Sequence, residues 1–320
     1  MEKNNIDFIG IGNAIVDVQA QVEDKDLKKF NLNKGIMSLV DYNQFLEIEK
    51  VFHEKDIKMS GGGSVANTTF ALQKLGSSCA FVGQVGNDPQ GSFYIKEFQD
   101  IGVLNLVEPI SGRSGVSFVL ITPDAQRTMN TYLGASIELN KTDHPIPNSR
   151  YLMVEGYLFD CPKAMNLIIS MVSQAKKRGT KIILSCSDPF CVDRYKNLFI
   201  EFIESYCDIV IANELEAQHL LSTQDFKSVE SKIHQLCDLF VITKSESGSE
   251  LFTSKGEYLF SPAICVDAID TTGAGDYFAA GFIWSLLQKN SYAQCLNYGN
   301  RAASQVIVKF GARIQELRLQ

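Results

Sequence analysis

The sequence predicts an α/β fold: a central, mostly parallel sheet with helices on both faces, plus a small discontinuous β lid. Three observations carry that prediction. From about residue 150 onward, short apolar runs alternate with longer helical segments. The runs "YLMVEG", "KIILSCS", "DIVIANE" and "LFVITKS" are apolar throughout, as strands buried on both faces must be. The segments near 13–40 and 107–133 instead alternate apolar and polar residues, out of step with that rhythm, and read as the half-exposed strands of the lid.

Taken in order, "IDFIGIGNAIVDVQAQV" opens as an apolar strand and continues as an alternating one through Ile15, Val16, Val18, Ala20 and Val22. "GSVANTTFALQKLG" has small and apolar residues at helical spacing and stops at Gly76. "CAFVGQVG" is a buried strand. Asp88 and Pro89 mark the cap and first position of the helix in "DPQGSFYIKEFQDIG". "GVSFVLIT" and "RTMNTYL" flank the turn "PDAQ" as a hairpin. Helices are predicted in "CPKAMNLIISMVSQAKKRG", "DRYKNLFIEFIESY" and "DFKSVESKIHQL", and a late hairpin in "SELFTSKGEYLFSP". Two helices, near 274–289 and 291–309, close the pattern.

The bulk properties bound the function. Of 320 residues, 45% are hydrophobic and 21% charged, which is ordinary for a globular protein. No apolar stretch reaches the roughly 18 residues that span a bilayer, and "MEKNNIDFIGIG" lacks a secretory signal's basic start and apolar core, so a cytoplasmic location is expected. The net charge of −7 and the lack of a Lys/Arg-rich run argue against a nucleic-acid partner. The eight cysteines form no C-x-x-C pair and the four histidines are scattered, which fits buried free thiols better than zinc or disulfides.

The stretch "DTTGAGD" (270–276), directly ahead of an apolar helix, carries the chemistry. The first N–H groups of a helix lack internal partners and carry partial positive charge, and glycines let the backbone approach an anion closely. Gly273, Ala274 and Gly275 would therefore form an anion hole, with Asp276 beside it. A carboxylate next to a bound phosphoryl group makes sense if an alcohol lies between them. The carboxylate then accepts the hydroxyl proton as oxygen attacks phosphorus. Other pieces accompany it: a second glycine run, "MSGGGSVANTTFALQKLG", with Asn67 one turn into its helix; Asn13 and Asp17 in "GNAIVD", a usual grip on vicinal hydroxyls; Asn213 and Glu216 at i and i+3 in "ANELEA"; and Thr243 and Gly248 in "TKSESG".

This set resembles the ribokinase-like (PfkB) family of carbohydrate and nucleoside kinases over essentially the whole chain. Within it, "GIGNAIVDV", "DKDLKKFNLNKG", "LSCSDPF" and "AASQVIVKFGA" are most similar to the adenosine-kinase branch. The resemblance implies one ribokinase-like domain over 1–320, with the lid at 13–40 and 107–133. It implies Asp276 as base and Arg127, from the lid hairpin, on the transferring phosphate. Asn13, Asp17, Gly62, Gly63 and Asn67 would bind the acceptor's hydroxyls. Asn213 and Glu216 would order Mg2+ through water, and Thr243, Gly248, Asn300 and Ala303 would flank ATP. Carbonyls near Asp270, Thr272 and Gly311 match the region where many relatives hold a monovalent cation such as K+. The chain departs from the adenosine-kinase branch in "GIMSLVD", with Ile36 and Met37 in the lid, and in having Leu158 where the family stacks an aromatic on the base, although Tyr157 is adjacent; Ile36, Met37, Leu158 and Phe190 are expected to bind the acceptor by lining an apolar slot for a flat base. The expected reaction is ATP-dependent phosphorylation of a nucleoside's primary hydroxyl, adenosine first, by a monomer or homodimer. The alternative acceptor is a free pentose or hexose such as ribose or fructose. A dinucleotide-binding oxidoreductase fits poorly, because "GIGNAI" has Ile15 at the third glycine position and no helix after it.

Overall fold

The computed structural model describes residues 5–319 apart from 31, 36, 53, 54, 125, 141, 143 and 227–229. Ile36 thus lies outside the described residues. Two strands open the chain, β1 (Asn5–Ile11) and β2 (Ile15–Gln21). Helix α1 (Asp24–Lys29), β3 (Met37–Leu39), α2 (Tyr42–Phe52) and β4 (Lys58–Gly62) follow. The next units are α3 (Ser64–Lys74), β5 (Cys79–Gly86), α4 (Pro89–Asp100) and β6 (Leu104–Ile110). The hairpin of β7 (Gly115–Ile121) and β8 (Arg127–Tyr132) precedes β9 (Asn148–Glu155). Regular alternation then runs through α5 (Pro162–Lys177), β10 (Lys181–Ser185), α6 (Pro189–Tyr206), β11 (Ile209–Asn213), α7 (Glu214–Leu221), α8 (Glu230–Leu236) and β12 (Leu239–Thr243). The hairpin β13 (Ser249–Thr253) and β14 (Tyr258–Ser261) leads to α9 (Ala274–Leu287) and α10 (Tyr292–Val306).

The large sheet has the order β14-β13-β12-β11-β10-β9-β1-β5-β6, parallel from β12 through to β6, with β13 and β14 antiparallel at one edge. Its strands read as continuous apolar runs because both faces are covered. Met153 and Ile183 point into one core with Phe70, Phe278 and Ala302, while Leu152, Val154 and Leu184 point into the other with Met165 and Phe199. The alternating segments form a separate sheet in the order β3-β8-β7-β2-β4.

Several boundaries differ from the sequence reading. Residues 107–110 end β6 in the large sheet rather than joining the small one, and β4 completes the small sheet beside β2. The 13–40 segment also contains α1, whose Glu23–Asp26 capping box outweighs strand alternation locally. Helix α6 starts four residues before the predicted run, because Asp188 accepts from Phe190 N and Cys191 N and Pro189 sits at the first position.

Candidate active site

Two helices point uncapped ends toward the junction of the sheets. Gly63 (φ 96°) precedes α3 and Gly273 (φ 82°) precedes α9, and neither has a side chain to bond the first amides. A β-carbon at Gly273 would be strained by that φ and would also press on Ala312 at 3.2 Å. The Ala274 N–H donates to the Thr271 carbonyl at 3.1 Å, so the three-amide anion hole read from sequence is reduced. The Gly273 and Gly275 N–H groups have no protein acceptor among the described residues, and open space lies over Gly275.

Asp276, three residues into this turn, accepts from Ser64 Oγ at 2.6 Å and from Asn67 Nδ2 at 2.9 Å. Burial pushes its carboxyl up to about 6, against the lowering effect of those two bonds and of Arg313. Asp17, on β2, is likewise pushed up to about 6 by burial, with Arg313 and Arg127 acting in the opposite sense. Asn67 bridges Asp276 to Arg313, since its Oδ1 accepts from Arg313 Nε at 3.1 Å. The Gly62 carbonyl accepts from Tyr94 Oη at 3.3 Å and Arg313 Nη2 at 3.4 Å.

A cleft of about 410 Å³ lies between the sheets. Asn13, Asp17, Gly63, Ser64 and Glu155 line its polar part, and Met37, Leu39, Tyr157 and Phe190 belong to its apolar part. Asn13 is only 6% exposed, yet its Oδ1 has no partner among the described residues. Phe190, at 69% exposed, leaves a bare ring on the cleft. Leu158 does not join them. The 3-10 turn Gly156–Asp160 sends Tyr157 to the cleft and buries Leu158 completely, at 0% exposed, in the core beside Phe159.

Glu155, which the sequence reading passed over, ends β9 and accepts from Asn13 N at 3.3 Å and Val65 N at 3.1 Å. One carboxylate thus ties the loop after β1 to the start of α3, and burial pushes it up to about 7. Arg127 reaches from the small sheet to pair with Asp270 in the 270–276 turn, and Asp270 also accepts from Gly311 N and Thr272. Asn213 and Glu216 close a reciprocal cap: Asn213 Oδ1 accepts from Glu216 N at 2.8 Å, and Glu216 accepts from Asn213 N at 2.9 Å and Nδ2 at 2.7 Å. Burial and the neighbouring Asp188 and Asp276 push Glu216 up to about 7. No group of three His, Cys, Asp or Glu among the described residues is placed to hold a metal directly. Glu216, at a helix start with Asp188 and Asp276 near it, would suit a cation held through water.

The residues expected to flank ATP gather elsewhere, around the ends of β12 and β14. Thr243 pairs with Ser249, and Gly248 (φ 108°) closes a turn by accepting from Lys244 N at 2.8 Å. Asn300 donates to the Ser261 and Pro262 carbonyls at 3.1 and 3.0 Å, which makes it a brace of the segment leaving β14, and Ala303 lies one turn further along α10.

Residues 30–318 match the model of the pfkB family of carbohydrate kinases. The structure of an adenosine kinase from Sinorhizobium meliloti superposes with a TM-score of 0.85 at 33% identity, over 97% of this chain and 96% of that one. A probable sugar kinase from Rhizobium etli superposes with a TM-score of 0.83 at 32% identity, over 97% and 95% of the two chains. A ribokinase from Staphylococcus aureus is 24% identical over 87% of this chain and 94% of its own length. With its glycine turn, buried aspartate and two-sheet cleft, the chain belongs to the pfkB family of carbohydrate kinases and is an ATP-using phosphotransferase.

Proposed function

We propose that the protein phosphorylates the 5′-hydroxyl of a ribose-bearing nucleoside, adenosine first among them, using ATP. The observation that carries the acceptor class is the unlike make-up of one cleft. Unpartnered Asn13 Oδ1 and Asp17 offer acceptors for vicinal hydroxyls, while the bare Phe190 ring, Tyr157, Met37 and Leu39 offer a flat base a dry contact. A free hexose would leave hydroxyls unpaired against those apolar groups. The relationship to an adenosine kinase at 33% identity supports the same reading.

For the chemistry, Ser64 Oγ on Asp276 already marks where an alcohol donates to this carboxylate. The acceptor hydroxyl would give its proton to Asp276 while its oxygen attacks the terminal phosphorus of ATP, whose bond to the bridging oxygen breaks to release ADP. The Gly273 and Gly275 amides would hold the developing charge. Arg127 would leave Asp270 for the transferring phosphoryl group, with Thr243, Gly248 and Ala303 along the nucleotide. Mg2+, held through water by Glu216 and Asn213, would neutralise the triphosphate. A monovalent cation such as K+ would sit where the 270–272 turn meets Gly311, two segments tied by the Gly311 N–H on Asp270. The small sheet, in this reading, is a lid that excludes water from the transfer. Eight free cysteines, seven of them buried, fit a reducing, cytoplasmic setting, where the protein would act as a monomer or homodimer.

The second reading, a kinase of free pentoses or hexoses, rests on the relationship to the probable sugar kinase and the ribokinase. Steady-state assays with MgATP against adenosine, inosine, guanosine, ribose and fructose separate the two. The nucleosides are expected to give the higher kcat/KM, and a preference for ribose or fructose would overturn the acceptor assignment.

A further inference from the structure

Arg313 lies in the irregular segment after α10, and its side chain is 2% exposed. Phe98, Phe70 and Tyr94 enclose its guanidinium at 4.9, 5.2 and 5.5 Å from their ring centroids. A guanidinium so enclosed is costly unless its donors are used. Nη1 pairs with Glu97, Nη2 reaches the Gly62 carbonyl at 3.4 Å, and Nε donates to Asn67 Oδ1 at 3.1 Å. The ion pair and the three rings already suffice to pin the C-terminal segment against α3 and α4. The Nε bond does something else. With Oδ1 committed to a donor, Asn67 must turn its Nδ2 toward Asp276, where it donates at 2.9 Å; the flipped amide would set oxygen against carboxylate and nitrogen against guanidinium.

We propose that Arg313 is a positioning residue for phosphoryl transfer, fixing through Asn67 the orientation in which Asp276 accepts the hydroxyl proton. This inference rests on the reading of Asp276 as the base. The charges around Asp276 come from several elements. Arg313 reaches it from the C-terminal segment, Asp17 from β2, Glu155 from β9 and Glu216 from α7, while Tyr277 lies beside it on α9. Arg313 favours the ionised form of both Asp276 and Asp17, whereas Glu97, on its far side, disfavours that of Asp17. Removing the Arg313 charge should therefore move the acid limb of activity upward, and removing the Glu97 charge should not.

Arg313→Met alone would strand the Glu97 carboxylate, so the informative set is R313M/E97M, R313K, E97Q and D276N, each checked for a cooperative melt and assayed for kcat and both KM values from about pH 5 to 9. R313M/E97M removes the ion pair as a unit. It is expected to lose about 100-fold in kcat, the scale of a misplaced catalytic group, with ATP KM within about threefold of wild type. Its acid limb should rise by about one pH unit. R313K should keep the limb near its wild-type position but lose about tenfold in kcat, because one ammonium cannot reproduce the planar fork. E97Q should leave the limb unmoved or lower. A folded R313M/E97M with wild-type kcat and limb overturns the proposal, as does E97Q reproducing the double variant's losses. If the double variant does not melt cooperatively, R313K decides, and wild-type kcat there overturns the proposal. An active D276N would remove the base reading itself; an inactive D276N with unaffected Arg313 variants would remove only the role of Arg313.

Discussion

Helices α7 and α9 each carry a carboxylate at their third position, Glu216 in one and Asp276 in the other, yet only α9 is open. In α7 the residue before the helix is Asn213, whose side chain and N–H trade hydrogen bonds with Glu216 and close the turn. In α9 that residue is Gly273, which has nothing to trade. Asp276 therefore turns outward to Ser64 and Asn67 on α3, and the Gly273 and Gly275 amides are left without acceptors among the described residues. A glycine in place of a capping side chain converts a self-satisfied helix start into one that can meet an anion and a hydroxyl together.

Asp276→Asn keeps the shape and removes the proton acceptor, so kcat should fall by about 10²–10⁴ with both KM values little changed, as read by steady-state kinetics. Retained kcat would put the open helix start on a par with the closed one. Asp17→Ala sharpens the acceptor side. A carboxylate accepting from two hydroxyls contributes about 1.5–3 kcal/mol, so acceptor KM should rise roughly tenfold or more at constant ATP KM. Asn213→Ala tests the closed helix. Losing the cap should cost about 1 kcal/mol by chemical denaturation. An accompanying rise in the Mg2+ needed for half-maximal activity would support the hydrated-cation role, and an unchanged requirement would leave Asn213 a cap only.

Burial also sets a pH dependence common to both helices. Asp276 is raised to about 6 and Glu216 to about 7, so each binds its proton more readily folded than unfolded. The stability they contribute is present below their unfolded values and declines as pH rises through about 6 to 7. Thermal melts of the ligand-free protein should accordingly show a lower Tm at about pH 8 than at about pH 5.5, with a smaller difference in D276N.

Local chemistry made much of this legible in sequence. The continuous apolar strands, the Asp88 cap, the β7–β8 hairpin and the glycine turn at Asp276 all carry their signals within a few residues. What escaped is long-range or a matter of phase. Arg313 meets Asn67 across 246 positions and Glu97 across 216, from a segment without periodicity. Glu155 sits at the tip of an apolar strand, where nothing nearby announces that it holds Asn13 and Val65. Tyr157 and Leu158 were exchanged because a single 3-10 turn decides which faces the cleft. Asn213 and Glu216 fit a cap and a metal site by the same spacing, and only their mutual hydrogen bonds reveal the cap.

The central claim, that Asp276 in the open turn takes the acceptor's proton, is tested most directly by the pH dependence of the chemical step. Single-turnover phosphoryl transfer, measured by rapid quench at saturating MgATP and acceptor, should show in the wild type an acid limb near the value of about 6 to which burial raises this carboxyl. In D276N the residual rate should be slow and should lack that limb. The same limb persisting in D276N would assign the titration to another group and contradict the account.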